Sequence, residues 1–119
     1  MIKIDTHINE SPNYYLLTVG GEVDASSSIH LEEGLQLAMS MSKAVIVDLN
    51  DLEYISSAGL GVFMSILQDL ENEQIKFAIF GMKEKVNEVF EILGLDQLMT
   101  IKSTMEEAIA EVSAESPAQ

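Results

Sequence analysis

Two hydrophobic periods alternate along this chain. "MIKIDTHI" (1–8) alternates apolar and polar residues, the period of a half-buried strand. "NESPN" (9–13) supplies turn chemistry, and "YYLLTV" (14–19) resumes as a second strand of aromatic and β-branched type. Two strands this close predict an antiparallel pair. "GGEVDASSS" (20–28) then breaks the pattern and offers several helix N-caps. Behind it Ser28, Leu31, Leu35 and Ala38 recur at helical spacing, with Glu32 and Glu33 turned to water. "AVIVDL" (44–49) is nearly continuous apolar sequence, which suits a central strand buried on both faces, with Val45, Ile46, Val47 and Leu49 in the core.

The second half continues the alternation. Leu60, Phe63, Leu67 and Leu70 predict a helix from about 58 to 72, and "IKFAIFG" (75–81) another buried strand. "KEKVNEVFEILG" (83–94) places Val86, Val89, Phe90 and Leu93 on one helical face, with Gly94 as its stop. "QLMTI" (97–101) reads as a short strand. "STMEEAIAEV" (103–112) opens on a capping box, Ser103 or Thr104 followed by Glu106 or Glu107. The predicted order is β-β-α-β-α-β-α-β-α: one α/β domain over residues 1–113, a mixed sheet with about four helices, and a frayed tail at 114–119. Strands joined through helices should run parallel by right-handed crossovers.

Composition narrows the chemistry. The 119 residues suit one domain with a core of its own. There is no cysteine, which excludes disulfides, zinc thiolates and thiol nucleophiles, and His7 and His30 are the only histidines. Twenty acidic residues face six basic ones, all lysine, for a net charge of −14 that repels nucleic acid and anionic membranes. No apolar run approaches a membrane span and no basic-then-apolar leader precedes the first strand, so a cytoplasmic protein is expected. Catalytic motifs are missing too. "SSAGLG" is not a G-x-S-x-G elbow, and no histidine is placed to serve Ser57. "GLG" is too short for a dinucleotide fingerprint, and no phosphate-binding G-x-x-x-x-G-K loop occurs. Neither an enzyme, a cofactor nor a metal is expected.

One junction stands apart. In "EYISSAGLGVF" (53–63) two serines meet the start of a helix whose first turns hold Gly59 and Gly61. A helix N-terminus carries unpaired N–H groups and partial positive charge. A serine there caps the helix, at about 1 kcal/mol, or carries a phosphate that those donors favour. Glycine inside a helix costs about 1 kcal/mol against alanine. Close packing on the sheet is the expected reason at Gly59, and the approach of another backbone at Gly61. Asp24 has a similar double reading: it caps the next helix, alone or with Ser26 and Ser27, or it belongs to a contact surface. Ile29 is apolar where the helical pattern predicts exposure.

With these residues in view, the chain resembles the STAS family, which includes bacterial anti-sigma factor antagonists and cytoplasmic domains of sulfate transporters. The resemblance spans nearly the full length through "GGEVDASS", "VIVDLNDLEYISSAGLGVF" and "VNEVFEILGLDQLMTI". The antagonists show Asp-Ser-Ser/Thr-Gly-Leu-Gly at the middle site, where a partner kinase phosphorylates the first serine. That serine matches Ser57, with Ser56 as the alternative because it stands where the family has aspartate. Gly59, Leu60 and Gly61 match, and Ala58 takes the variable place. The resemblance implies a protein that sequesters an anti-sigma factor with serine kinase activity, and a phosphatase that reverses the modification. The implied contact set is Asp24, Ser26, Ser27, Ile29, Ser56, Ala58, Gly59, Gly61 and Val62, with the 55–60 loop exposed at the C-terminal side of the strands. A second class of function stays open: a STAS subunit or scaffold of a transport or signalling assembly, its serines acting only as caps.

Overall fold

The computed structural model describes residues 2–10 and 13–113, and the side chains of 2–5 and 14–113; the tail expected at 114–119 lies outside the described residues. Strands β1 (Ile2–Glu10) and β2 (Asn13–Val23) form the expected antiparallel pair, in register from Ile2 opposite Gly21 to Glu10 opposite Asn13. There follow α1 (Ser28–Met41), β3 (Ala44–Asp48), β4 (Leu52–Ile55), α2 (Ser57–Asn72), β5 (Lys76–Phe80) and α3 (Glu84–Ile92). A 3-10 turn at Leu95–Gln97, β6 (Ile101–Lys102) and α4 (Met105–Ser113) complete the order.

The sheet runs β1-β2-β3-β5-β6, parallel from β2 onward, with β4 attached to β2 beyond the end of β3. Long β2 therefore has two neighbours on one side. Residues Tyr15–Thr18 pair with β3, and Gly21–Val23 pair with β4. The handover occurs at a register shift between Gly21 and Glu22. Gly21 takes φ 81° there, a conformation side chains resist, and its N–H donates to the Asp51 carbonyl at 2.9 Å.

β4 is the main departure from the expected order. Its burial runs in, out, out, in: Leu52 and Ile55 are buried while Glu53 and Tyr54 are exposed. That is not the in–out alternation of a half-buried strand. The strand expected at 97–101 shrinks likewise to Ile101–Lys102, because Leu95–Gln97 makes a 3-10 turn first. Gly94, at φ 75°, ends the third helix as expected. At α4 the capping box is realised: Thr104 Oγ1 accepts from the Glu107 N–H at 3.2 Å and Glu107 Oε1 from the Ser103 N–H at 3.1 Å.

Two apolar layers sandwich the sheet. Helices α1, α2 and α3 cover one face, where Leu31, Leu35, Phe63 and Phe90 pack over Leu17, Val45 and Val47. Phe63 and Phe90 meet edge to face, centroids 5.4 Å apart. Helix α4 covers the opposite face, setting Ala108 and Val112 against Tyr14, Ile46 and Ala78. β3 thus feeds both layers, as its sequence predicts, and each of its fully buried side chains contributes about 1.5–3 kcal/mol. Among the described residues, no helix is long and apolar enough to cross a membrane.

Candidate functional site

The site grows out of the place where β2 and β4 end together. Glu22 lies opposite Tyr54 and Val23 opposite Ile55, and the Ser56 N–H donates to the Val23 carbonyl at 2.8 Å. One residue later both chains leave the sheet, β2 into the Asp24 loop and β4 into α2. The loop and the helix N-terminus are therefore neighbours at the C-terminal edge of parallel strands, where open α/β sheets gather functional loops.

The two serines have different surroundings. Ser56 is the N-cap of α2, in extended conformation, and its Oγ accepts from the Gly59 N–H at 3.3 Å. Its carbonyl takes the first helical bond, from the Leu60 N–H at 2.9 Å. Ser57 is the first helical residue and is exposed, and its hydroxyl has no hydrogen-bond partner among the described residues. No acidic residue stands in that first turn to occupy the positive helix end. Capping falls to Ser56, and the Ser57 hydroxyl is left unengaged.

The two glycines part in the same way. A Cβ on Gly59 would lie 2.7 Å from Ile55 Cγ1 and 2.8 Å from Val23 Cγ1, so its absence lets α2 sit directly on the two strand ends. That is the packing role expected of it. A Cβ on Gly61 would meet nothing within 4 Å, so the chain's own packing does not demand glycine there.

The Asp24 loop is a knot of hydrogen bonds. Asp24 Oδ1 accepts from the Ser26 hydroxyl at 2.8 Å, the Ser27 hydroxyl at 2.9 Å, and the N–H groups of Ser26 and Ser27 at 3.0 Å each. These donors, the Ser26 hydroxyl foremost, hold the carboxyl below its ordinary pKa. Oδ1 is thus spent on the loop. Ser27 occupies the N-cap position of α1, but its hydroxyl bonds Asp24 rather than the helix, so none of the three side chains caps α1 as sequence allowed. The Asp24 carbonyl instead accepts from the Ser27 and Ser28 N–H groups at 3.2 and 3.0 Å.

Of the expected contact set, Asp24, Ser26, Ile29, Ala58 and Gly61 are exposed, like Ser57, and Ser27 and Ser56 are half-buried. Gly59 and Val62 are corrections. Gly59 is buried, and Val62 is only 8% exposed and packs in the core. Positions 59, 62, 63 and 66 fall on the one face of α2 that meets the sheet, so neither residue can offer a contact surface. The sequence reading also passed over two exposed residues. Met64 continues the outer stripe of α2 from Ser57 and Gly61 at i, i+4, i+7 spacing, and that spacing was the available signal. Tyr54, half exposed beside this edge, could not be placed before β4 was known.

The described residues hold no cluster of metal-ligating side chains, and their buried residues include no polar or charged side chain. His30 faces Glu33 at 3.7 Å on α1, and both are well exposed. What the site presents is an unengaged hydroxyl at a helix N-terminus and, in the loop after β2, a carboxylate hydrogen-bonded through Oδ1.

The STAS domain family matches residues 4–108. An anti-sigma-B factor antagonist of Listeria monocytogenes is 32% identical over 104 residues, covering 86% of this chain and 91% of that protein. An anti-sigma-B factor antagonist of Staphylococcus aureus is 32% identical over 106 residues, covering 88% and 98%. Among solved structures, an anti-sigma factor antagonist from Mycobacterium paratuberculosis superimposes with a TM-score of 0.85 at 21% identity, covering 96% of each chain.

Proposed function

This chain belongs to the STAS domain family, and from that membership and the site we propose that it is an anti-sigma factor antagonist switched by phosphorylation of Ser57. It is a regulatory binding protein. In its unmodified form it docks on an anti-sigma factor and so releases the sigma factor. The docking surface comprises Asp24, Ile29, Ser57, Ala58 and Gly61, at the edge where β2 and β4 end.

One observation carries the choice of serine: Ser56 Oγ caps α2 while Ser57 Oγ is exposed and unengaged. The anti-sigma factor's serine kinase activity moves the γ-phosphoryl group of ATP to Ser57 Oγ, with loss of the hydroxyl proton and departure of ADP. The product carries about −1.5 to −2 charges. The N-terminus of α2 stabilises that charge within the fold. At a packed interface the same charge and bulk oppose association, and each 1.4 kcal/mol lost there weakens binding about tenfold. A phosphatase restores the binding form. The chain acts as a substrate, not an enzyme, and works in the cytoplasm.

Phosphate analysis of the protein from its native cell, as wild type, Ser56→Ala and Ser57→Ala, tests this reading. Phosphate should be present in wild type and Ser56→Ala and missing from Ser57→Ala. The reverse pattern assigns the switch to Ser56. No phosphate in any form, under conditions that activate and repress the sigma factor, favours a non-phosphorylated STAS subunit or scaffold.

A further inference from the structure

The Asp24 carboxylate is asymmetric in a way the switch does not require. All four of its donors converge on Oδ1, while Oδ2 accepts from no described residue. The Asp24 N–H donates in turn to Ser27 Oγ at 2.9 Å, so Ser27 both gives to and takes from the same residue. The two backbone donors alone would make an ordinary aspartate turn. The two hydroxyls are additional, and they matter because Asp24 is exposed. An exposed aspartate otherwise samples several rotamers.

We propose that Ser26 and Ser27 are positioning residues, whose hydroxyls hold Asp24 in one rotamer with Oδ2 presented to the partner beside Ser57. The inference rests on the docking surface proposed above, and gives these serines a different task from direct contact. A side chain ordered before binding does not lose its freedom during binding, and such preorganisation strengthens association. For one side chain the gain corresponds to about three- to tenfold in affinity. Placement follows from the backbone. Asp24 follows Val23 and Ser57 follows Ser56, the two residues joined by the Ser56–Val23 hydrogen bond, so the proposed surface holds both the Asp24 carboxylate and the Ser57 hydroxyl.

The test has a partner-free arm and a binding arm. In the free protein, vicinal Hα–Hβ couplings of Asp24 should report one χ1 rotamer in wild type and rotamer averaging in Ser26→Ala/Ser27→Ala. Ser26→Thr/Ser27→Thr, which keeps both hydroxyls, should retain the single rotamer. In the binding arm, the anti-sigma factor that phosphorylates Ser57 is titrated against each form. The alanine pair should bind about three- to tenfold more weakly and the threonine pair like wild type. The same alanine pair in an Asp24→Ala background should add no further loss. Unchanged couplings in the alanine pair, or a serine effect undiminished in the Asp24→Ala background, would overturn the inference while leaving the docking surface intact. If Asp24→Ala alone binds like wild type, Asp24 is no contact residue, and that part of the docking surface falls together with the inference.

Discussion

The Ser56 N–H donates to the Val23 carbonyl at 2.8 Å, and this one bond joins the two segments that make the site. Gly59 reinforces it, because only its bare Cα lets α2 rest on Val23 and Ile55. The proposed docking edge is therefore anchored at the two strand ends. Under the proposed switch, a phosphate on Ser57 would be carried at this junction and act on the partner.

Ser57→Asp should fold like wild type and bind the anti-sigma factor at least tenfold more weakly, since one carboxylate brings about half the charge of a phosphate. Ser57→Ala should form a complex that ATP does not dissociate. Calorimetric titration with and without ATP measures both. Tight binding by Ser57→Asp would mean that charge at this position is not the switch.

Ser56→Ala should lose the N-cap of α2 at a cost of about 1 kcal/mol, seen as a lower midpoint in denaturant unfolding. Phosphate incorporation at Ser57 should persist, because Ser57 Oγ makes no bond that depends on the cap. An unchanged midpoint together with lost phosphorylation would invert the assigned roles.

The glycines should respond with opposite sign. Gly59→Ala forces a methyl to within 2.7 Å of Ile55 and 2.8 Å of Val23, an overpacking that typically costs about 1–3 kcal/mol. Gly61→Ala meets open space and should stabilise the free protein by up to about 1 kcal/mol through helix propensity. It should still weaken partner binding if another backbone approaches there. Unfolding and binding measured on the same two variants separate the effects.

Acid should act on the Asp24 loop later than on ordinary carboxylates. The folded pKa of Asp24 is lowered, first by the Ser26 hydroxyl and then by Ser27. Its stabilising contribution is therefore complete above the unfolded value of about 4 and is lost as pH falls through the lower folded value. Carbon NMR of the Asp24 carboxyl should show a midpoint below the ordinary aspartate value of about 4. In Ser26→Ala/Ser27→Ala that midpoint should move up towards the ordinary value. An ordinary midpoint in wild type would show that the serine donors do not hold the charged form in solution.

The boundary between what pattern could reveal and what required the fold runs through particular residues. Hydrophobic period alone placed β2, β3, β5 and all four helices, because each buries a regular stripe: Val45 to Val47 on both sides of the sheet, Leu60, Phe63 and Ile66 on one side of α2. It also located the serine pair at a helix start, since capping is a local event. It could not find β4, whose Leu52 and Ile55 become a strand only because β2 outruns β3 and needs another neighbour. It could not divide labour between Ser56 and Ser57, which differ in backbone conformation and not in chemistry. Nor could it exclude Val62 from the contact face, because the side of α2 that turns inward is fixed by how Gly59 sits on Val23 and Ile55. Period and caps depend on neighbours along the chain and are written there. The site depends on two strand ends that meet in space, about thirty residues apart in sequence, and only tertiary packing brings them together.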